Sequence, residues 1–348
     1  MSDRKDAAPA SFAPFLLDPI PVPRVWGGDQ LLETIHPSLA APLDDSGAPL
    51  PVGETWEISD VGEDPALHSV IRTGPWQGQT LRALFREFPR EVLGAAGGGL
   101  APDPELPLLF KYIDAGTDLS VQVHPSDELL AARGEPGRGK TEAWVILDAA
   151  PGARLIVGFD EGWDLERYRE SARAGDGRSG LREVTVSRGD VVFLPAGLVH
   201  AIGGGIQLAE IQQSSDITWR LYDWDRVGLD GAPRTLHLEE CAGVEAPDPI
   251  PACPLEGGSA PGRHRAIDGT HFRLELLRGD AAELPLERRS DRFGILALLE
   301  GDGVVLSGAG GELPLTPYST AFVPAAASSL TWRSDGPIWA LWMEPGDA

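Results

Sequence analysis

Two stretches of this 348-residue chain carry glutamine and histidine side chains at spacings that would suit the binding of one metal ion. The first stretch is Gly116-Thr-Asp-Leu-Ser-Val-Gln122-Val-His124. The second stretch is Gly189-Asp-Val-Val-Phe-Leu-Pro195-Ala-Gly197-Leu-Val-His200. Side chains two residues apart on a strand point to the same face, so Gln122 and His124 could both face the interior of a sheet. The Pro-x-Gly turn before His200 could hold a third ligand beside them.

A carboxylate is expected as the fourth ligand, and two glutamates compete for that position. Spacing along the chain favours Glu128, but Pro125 interrupts the strand and places Glu128 in the first turn of a predicted helix. The helix dipole alone accounts for an acid there. Glu142 opens the next strand-like run and could re-enter the site beside His124, so we favour Glu142. Such a ligand set suits a catalytic Zn²⁺, with Mn²⁺, Fe²⁺ or Co²⁺ as alternatives.

The charge balance restricts the partners of the protein. A net charge of -24 argues against nucleic acid and against an anionic membrane as partners. An anionic substrate would therefore need a local basic island. The chain has only three lysines, and two of them, Lys111 and Lys140, flank the first metal-binding stretch.

Cysteine usage and the N-terminal residues indicate the compartment. Cys241 and Cys253 have no ligand-like neighbours, so we interpret them as free thiols in a reducing compartment. The N-terminal residues lack an apolar segment long enough for a signal peptide. No run approaches the ~18 apolar residues of a membrane span. We therefore predict a cytoplasmic protein.

The arrangement of apolar runs predicts a mainly β chain, because 31 prolines and 42 glycines favour many turns. Helices are predicted near residues 80–93, 126–133 and 164–174 from apolar periodicity and capping residues. The run at 246–262 is rich in proline and glycine and predicts a semi-rigid linker. It would separate a domain with the metal site at 1–245 from a smaller, metal-free β domain at 263–348.

The smaller domain contains a partial copy of the second metal-binding stretch. Ser319-Thr-Ala-Phe-Val-Pro-Ala325 resembles the run before His200, but no histidine follows it. We interpret the smaller domain as a degenerate β-barrel that has no metal. An unrelated β-sandwich is the alternative.

A phosphate-loop pattern also occurs, at Gly134-Glu-Pro-Gly-Arg-Gly-Lys140-Thr141. That loop functions only between a strand and a helix, whose N-terminal amides face the phosphates. Here a predicted helix precedes the pattern and a β-leaning run follows it, and Pro136 removes one amide donor. We therefore do not predict a nucleotide site, although Lys140 could still contact a phosphate as a point charge.

The spacings of the two stretches resemble the paired motifs of the cupin superfamily, with Gln122 where most cupins have a first histidine. The chain between residues 20 and 240 further resembles the type I mannose-6-phosphate isomerases of the short bacterial kind. The resemblance rests on Gly53-Glu-Thr-Trp-Glu-Ile-Ser59, Phe110-Lys-Tyr-Ile-Asp-Ala115, Leu119-Ser-Val-Gln-Val-His-Pro-Ser-Asp127, Gly139-Lys-Thr-Glu-Ala-Trp144, Val192-Phe-Leu-Pro-Ala-Gly-Leu-Val-His-Ala-Ile-Gly203, Glu210-Ile-Gln-Gln-Ser-Ser-Asp216 and Thr218-Trp-Arg-Leu-Tyr-Asp-Trp-Asp-Arg226.

The resemblance implies a cupin-type jelly-roll barrel with a few helices, together with a second, smaller cupin-like β-barrel. It implies one zinc ion per chain, bound by four residues, in agreement with the spacing argument: Gln122, His124, Glu142 and His200. It also implies that the enzyme interconverts mannose 6-phosphate and fructose 6-phosphate through a cis-enediol. The partner would be a small-molecule sugar phosphate, and the protein a monomer or small homo-oligomer.

Five further site residues follow from the resemblance. Arg220 resembles the catalytic arginine of the family and Lys140 its active-site lysine. Glu210 matches an active-site acid, and we expect it to help move the proton. Ser120 and Lys111 are candidates for the phosphate end of the substrate. The alternative for Arg220 and Glu210 is a buried ion pair with no chemical part, and we interpret His237 as structural.

Two other functions remain as alternatives. One is another cupin metalloenzyme acting on a different substrate, such as an iron-dependent dioxygenase, against which Gln122 in place of a histidine argues. The other is a sugar-phosphate-binding protein without catalysis. That protein would be expected to lack one of the metal ligands or the catalytic arginine. The four ligands Gln122, His124, Glu142 and His200 and the arginine Arg220 are all present in the chain.

Overall fold

The structure, a computed structural model, describes residues 12–247, 261–279 and 283–347. These residues group into two compact units. The first unit contains the described parts of residues 1–19, 57–108 and 258–348, and the second contains those of residues 20–56 and 109–257. Residues 57–108 thus group with the C-terminal part of the chain. The predicted domain boundaries at 245 and 263 stay a prediction, and most of the predicted linker lies outside the described residues.

The described residues form mainly β structure, as predicted. The strands are β1 (Phe15–Leu16), β2 (Ile20–Pro23), β3 (Val52–Ile58), β4 (Leu108–Ala115), β5 (Val121–Val123), β6 (Glu142–Ala149), β7 (Arg154–Phe159), β8 (Leu181–Thr185), β9 (Val191–Leu194), β10 (His200–Ile202), β11 (Ile206–Gln213), β12 (Trp219–Tyr222), β13 (Gly262–Asp268), β14 (Phe272–Gly279), β15 (Glu283–Leu286), β16 (Gly294–Glu300), β17 (Val304–Gly308), β18 (Gly311–Leu315), β19 (Thr320–Val323), β20 (Leu330–Arg333) and β21 (Ile338–Pro345). The helices are α1 (Leu81–Glu87), α2 (Pro89–Val92), α3 (Asp127–Arg133) and α4 (Leu165–Arg173), with short helical turns at Leu31–Ile35, Pro65–Leu67 and Ala95–Gly99.

The predicted helices are confirmed, with one break. Ser126 and Asp164 cap α3 and α4, because their side chains accept hydrogen bonds from backbone amides in the first turn. Gly134, in the left-handed conformation at φ 66°, ends α3. The predicted helix at 80–93 forms two helices instead, because α1 ends at Glu87 with Phe88 as its C-cap, and Pro89 begins α2.

The second unit contains two sheets. One has five strands in the order β12-β5-β10-β7-β8, and the other has the order β2-β3-β4-β11-β6-β9. The strand pairs whose register is defined are antiparallel. Apolar side chains from both sheets fill one core cluster, including Ile146, Leu155 and Ile206. This packing fixes the strand faces that carry the polar side chains of the site.

The first unit also contains two sheets, of which one has the order β1-β19-β16-β21-β14-β13 and the other β15-β20-β17-β18. Its core cluster is apolar and includes Leu296, Leu306 and Trp342. Both β-sheet units agree with the predicted fold class. Within the described ranges, no helix combines the length and the apolar character that crossing a membrane requires.

Candidate metal centre and cavity

The two metal-binding stretches of the sequence lie on neighbouring strands. His200, the first residue of β10, is paired with Gln122 on β5. The amide of Gly197, in the turn before β10, donates a hydrogen bond to the carbonyl of His124 at 2.9 Å. Gly197 has a φ of 87°, and a Cβ there would lie 2.0 Å from the carbonyl oxygen of Glu245. Only glycine therefore fits this turn without strain.

Three of the predicted ligands converge in a buried group. His124, Glu142 and His200 are 1%, 0% and 2% exposed, and their ligand atoms all lie within 4.8 Å of one another. Nε2 of His200 lies 3.2 Å from Oε1 of Glu142. Nε2 of His124 lies 3.6 Å from the other oxygen, Oε2. The structure thus places Glu142 in this group, whereas Glu128 is exposed in the first turn of α3.

The hydrogen bonds of the two histidine rings leave acceptor atoms facing each other. Nδ1 of His124 donates to the carbonyl of Ile217 at 2.7 Å, and Nδ1 of His200 to that of Leu198 at 2.8 Å. With Nδ1 donating, Nε2 is the ring atom that each histidine can offer to a metal. Among the described residues, the donor nearest to these acceptors is the Lys140 ammonium, which lies 2.7 Å from Oε2 of Glu142 and 3.2 Å from Nε2 of His124, and neither oxygen of Glu142 makes a further hydrogen bond. A divalent cation would satisfy these buried acceptors, so the residues fit a metal of the Zn²⁺ type.

Gln122 is positioned at the edge of this group. Its amide nitrogen lies 3.3 Å from Nε2 of His200, and its Oε1 accepts a hydrogen bond from the Ser120 hydroxyl at 3.2 Å. The amide oxygen is the atom of Gln122 that could serve as a metal ligand. Ser120 is buried, and its hydroxyl contacts the side-chain amide of Gln122, the predicted metal ligand.

Four buried charged residues continue from Glu142 of the metal-binding group, and the charges of these five residues alternate in sign. Nζ of Lys140 lies 2.7 Å from Glu142 and 3.6 Å from Glu210. Nζ of Lys111 lies 3.0 Å from Glu210 and 3.8 Å from Glu54. Trp144 donates a hydrogen bond to the other Glu210 oxygen at 2.8 Å, which fixes the carboxylate. Glu54, Lys111, Glu210 and Glu142 lie on the neighbouring strands β3, β4, β11 and β6, and Lys140 lies two residues before Glu142. Strand alternation places side chains two residues apart on the same face.

The pKa values in this group reflect burial and charge pairing. Burial raises the pKa of Glu142, but Lys140, His200 and His124 together outweigh it and hold that pKa well below its usual range. Burial would lower the pKa of Lys140, yet Glu142 and Glu210 raise it. Burial and the Lys140 charge lower the pKa of His124, which keeps its ring neutral. For Glu54, burial is overcome by Arg24 and Lys111, and the pKa falls to about 2.

A cavity of about 340 Å³ lies beside the metal-binding group. Its volume is on the scale of a small-ligand site, roughly 300–1,000 Å³. Charged side chains of both signs line it, and the basic ones outnumber the acidic: Arg24, Lys111, Lys140, Arg220, Arg234, Glu54, Glu210 and Asp216. The cavity is the local basic island that an anionic substrate would need in a protein with a net charge of -24.

Arg220 lines this cavity from β12, at the position paired with Gln122 on β5. Burial and the nearby Arg234 lower the pKa of its guanidinium. Crowded positive charge of this kind favours an anionic ligand. The structure brings all nine predicted site residues to the metal-binding group or to the lining of the cavity.

Sequence reasoning missed Arg24, Arg234 and Glu54, which also line the cavity. Arg24 donates two hydrogen bonds to Glu54, at 3.2 and 3.1 Å. A partial signal existed for Glu54 alone, because it alternates with Trp56 in the quoted Gly53–Ser59 segment. The phosphate-loop pattern at 134–141 lies between α3 and β6, so it has the wrong order of elements for a nucleotide loop.

The fold and the site define the class, a β-sheet protein with a metal-binding group beside a cavity for a small polar ligand. A model of the family described as phosphomannose isomerase type I, catalytic domain, matches residues 18–137. Mannose-6-phosphate isomerase ManA of Bacillus subtilis is 32% identical over 310 residues, which cover 85% of this chain and 88% of that protein. The mannose-6-phosphate isomerase of Streptococcus mutans is 37% identical over 221 residues, 64% of either chain.

A solved structure agrees with these relatives. The crystal structure of the mannose 6-phosphate isomerase from Bacillus subtilis matches with a TM-score of 0.78 and 28% identity, over 95% of this chain and 99% of that one. The chain therefore belongs to the type I phosphomannose isomerase family, and it is an isomerase of that family.

Proposed function

We propose that this isomerase interconverts mannose 6-phosphate and fructose 6-phosphate through a cis-enediol, with one zinc ion per chain. The observation that supports this most directly is the shared cavity. Gln122, at the edge of the group fit for a divalent metal, lines the same space of about 340 Å³ as a wall rich in cations. The relatives in Bacillus subtilis and Streptococcus mutans are mannose-6-phosphate isomerases, which supports the same substrate for this chain.

The proposed metal ligands are Gln122, His124, Glu142 and His200. When bound there, a zinc ion would act as a Lewis acid that polarises the substrate's oxygens near C1 and C2. Each histidine donates through Nδ1 to a backbone carbonyl, which leaves Nε2 as its ligand atom. Such hydrogen bonds fix the orientation and tautomer of a ligand ring.

Proton transfer between C1 and C2 needs a group that takes the proton and a charge that stabilises the enediolate. We assign the first role to Glu210, whose Oε1 lies between the ammonium groups of Lys111 and Lys140 at 3.0 and 3.6 Å. Lys140 and Arg220, which both line the cavity, would stabilise the developing negative charge. Both cations are therefore already at the cavity wall, where this charge would develop.

The phosphate group of the substrate would contact the cationic wall. Lys111 and Ser120 remain our candidates for this end, and both line the cavity. The cytoplasmic location and the monomer or small homo-oligomer stay predictions.

Conversion of mannose 6-phosphate to fructose 6-phosphate tests the proposal, measured before chelation, after chelation and after Zn²⁺ is added back. We expect activity to disappear with the metal and to return with zinc. Circular dichroism of the chelated protein would serve as the control for folding. A folded, zinc-loaded protein without turnover would contradict the proposed reaction, and full activity after verified metal removal would contradict the role of zinc.

A further inference from the structure

Arg220 lies on a strand with an open edge. Strand β12 is the outermost strand of the five-stranded sheet, and only β5 pairs with it there. The other side of an edge strand presents backbone groups that the sheet does not satisfy. At Arg220 the backbone amide and the backbone carbonyl both form hydrogen bonds with one residue, His237.

The contact between the two residues is reciprocal. The backbone amide of Arg220 donates a hydrogen bond to Nδ1 of the His237 ring at 3.0 Å. The backbone amide of His237 donates to the carbonyl of Arg220 at 2.7 Å. His237 therefore takes the place of a neighbouring strand at this single residue. Because Nδ1 accepts, the ring must be unprotonated at that atom.

The same segment also holds the Arg220 side chain. One guanidinium nitrogen, Nη1, donates to the carbonyl of Thr235 at 2.9 Å. The Nε–H of Arg220 is buried and makes no hydrogen bond with the described residues. Thr235 and His237 thus fix the backbone and one end of the guanidinium.

Arginines from the helices hold the segment itself in place. Nε of Arg169, on α4, donates to the carbonyl of Leu238 at 2.5 Å. Nη1 of Arg133, on α3, donates to the carbonyl of Glu240 at 2.8 Å. Because a support must be more rigid than the group it positions, these contacts make the segment suited to that task.

We infer that His237 is a positioning residue, whose neutral ring fixes the backbone of Arg220 so that the guanidinium faces the substrate. This inference rests on the proposed function, in which Arg220 stabilises the enediolate. Burial and the Arg220 charge lower the pKa of His237, which agrees with a neutral ring. Glu240 also lies near this ring, and its charge raises the pKa of His237.

Three variants test the inference. Their kcat and KM are measured with mannose 6-phosphate, and metal content and melting temperature serve as controls. His237→Ala removes the acceptor, and we expect kcat to fall about 10-fold while KM and metal content stay near the wild-type values. His237→Asn keeps an acceptor near the position of Nδ1 and should restore most of kcat. Leu236→Ala, an exposed neighbour in the same segment, should leave kcat unchanged.

A double-mutant cycle separates positioning from a general effect on folding. In an Arg220→Ala background, His237→Ala should lower kcat little further, because the histidine acts through the arginine. An equal loss in both backgrounds would overturn the inference, and so would a folded His237→Asn enzyme as slow as His237→Ala. If the wild-type enzyme turns over but His237→Ala is fully active, only this inference fails. A wild-type enzyme without turnover would overturn the proposed function and this inference together.

Discussion

Each of the two units has a strand that is followed by a Pro-Ala turn, but the next strand begins with a different residue in each unit. Strand β9 is followed by Pro195 and Ala196, and strand β19 by Pro324 and Ala325. In each unit the proline carbonyl accepts a hydrogen bond from the amide three residues later, at 3.2 Å and 2.9 Å. The strand after this turn begins with His200 in the second unit, and with a leucine in the first.

That difference determines what each unit can do. The leucine, Leu330, is 3% exposed and belongs to the apolar core of the first unit. His200 is as deeply buried, but it faces Glu142 and the alternating charges around the cavity. Buried charges cost desolvation energy unless they are paired. The second unit therefore keeps a polar interior that packing alone does not require, and within the described residues the metal-binding cluster occurs there alone.

The largest expected effect comes from removing the residue that distinguishes the two turns. His200→Ala deletes one ring from the group of His124, Glu142 and His200, and we expect metal content and isomerase activity to fall to background together. Metal analysis by mass spectrometry and the isomerase assay would measure both.

A histidine of the first unit provides the control for that variant. His271→Ala should leave metal content and activity unchanged, since His271 lies outside the second unit. If His200→Ala retained one metal ion per chain, the ligand assignment would be wrong.

A smaller effect is expected from Arg220, which lines the cavity but is not a metal ligand. Arg220→Ala should lower kcat about 10²-fold, the scale of losing one electrostatic partner of the transition state. Metal content should stay at the wild-type level, which separates this variant from His200→Ala. The exposed Arg265 of the first unit offers a control, and Arg265→Ala should have normal kinetics. A near-normal kcat in Arg220→Ala would show that its role was assigned wrongly.

The comparison also explains how much the sequence could predict. Strand periodicity and the two spacings were sufficient to bring Gln122, His124 and His200 together, because register on neighbouring strands follows from local pattern. Pro125 and the cap at Ser126 were sufficient to place Glu128 on a helix. The roles of these residues stay predictions.

Long-range contacts account for what the sequence did not predict. Arg24 and Arg234 reach the cavity from distant segments with no motif around them, so no spacing could indicate them. The grouping of residues 57–108 with the C-terminal part also depends on tertiary packing. The break between α1 and α2 could have been predicted, since Pro89 stands within the proposed helix.

The smallest expected effect compares one buried glutamate from each unit. Burial opposes ionisation of Glu54, but Arg24 and Lys111 lower its pKa from 4.5 to about 2. Burial raises the pKa of Glu344, whose main local partner is the amide of Arg289 at 3.2 Å. A carboxyl with a lowered pKa stabilises the folded state above its unfolded pKa, and this contribution is lost as the pH falls through the folded value. A raised pKa has the opposite sign, since it costs stability as the pH rises above the unfolded value.

Glu54→Gln should therefore destabilise the protein at pH 7, on the order of 3 kcal/mol from the lowered pKa. The difference from the wild type should shrink between pH 4.5 and pH 2. Glu344→Gln should be as stable as the wild type or more stable at pH 7, with a gain that grows as the pH rises above 4.5. Calorimetry across this range would measure both, each variant serving as the matched control for the other. Equal pH dependence in the two variants would refute the idea that ionic pairing distinguishes the interior of the second unit, because burial alone would then account for both glutamates.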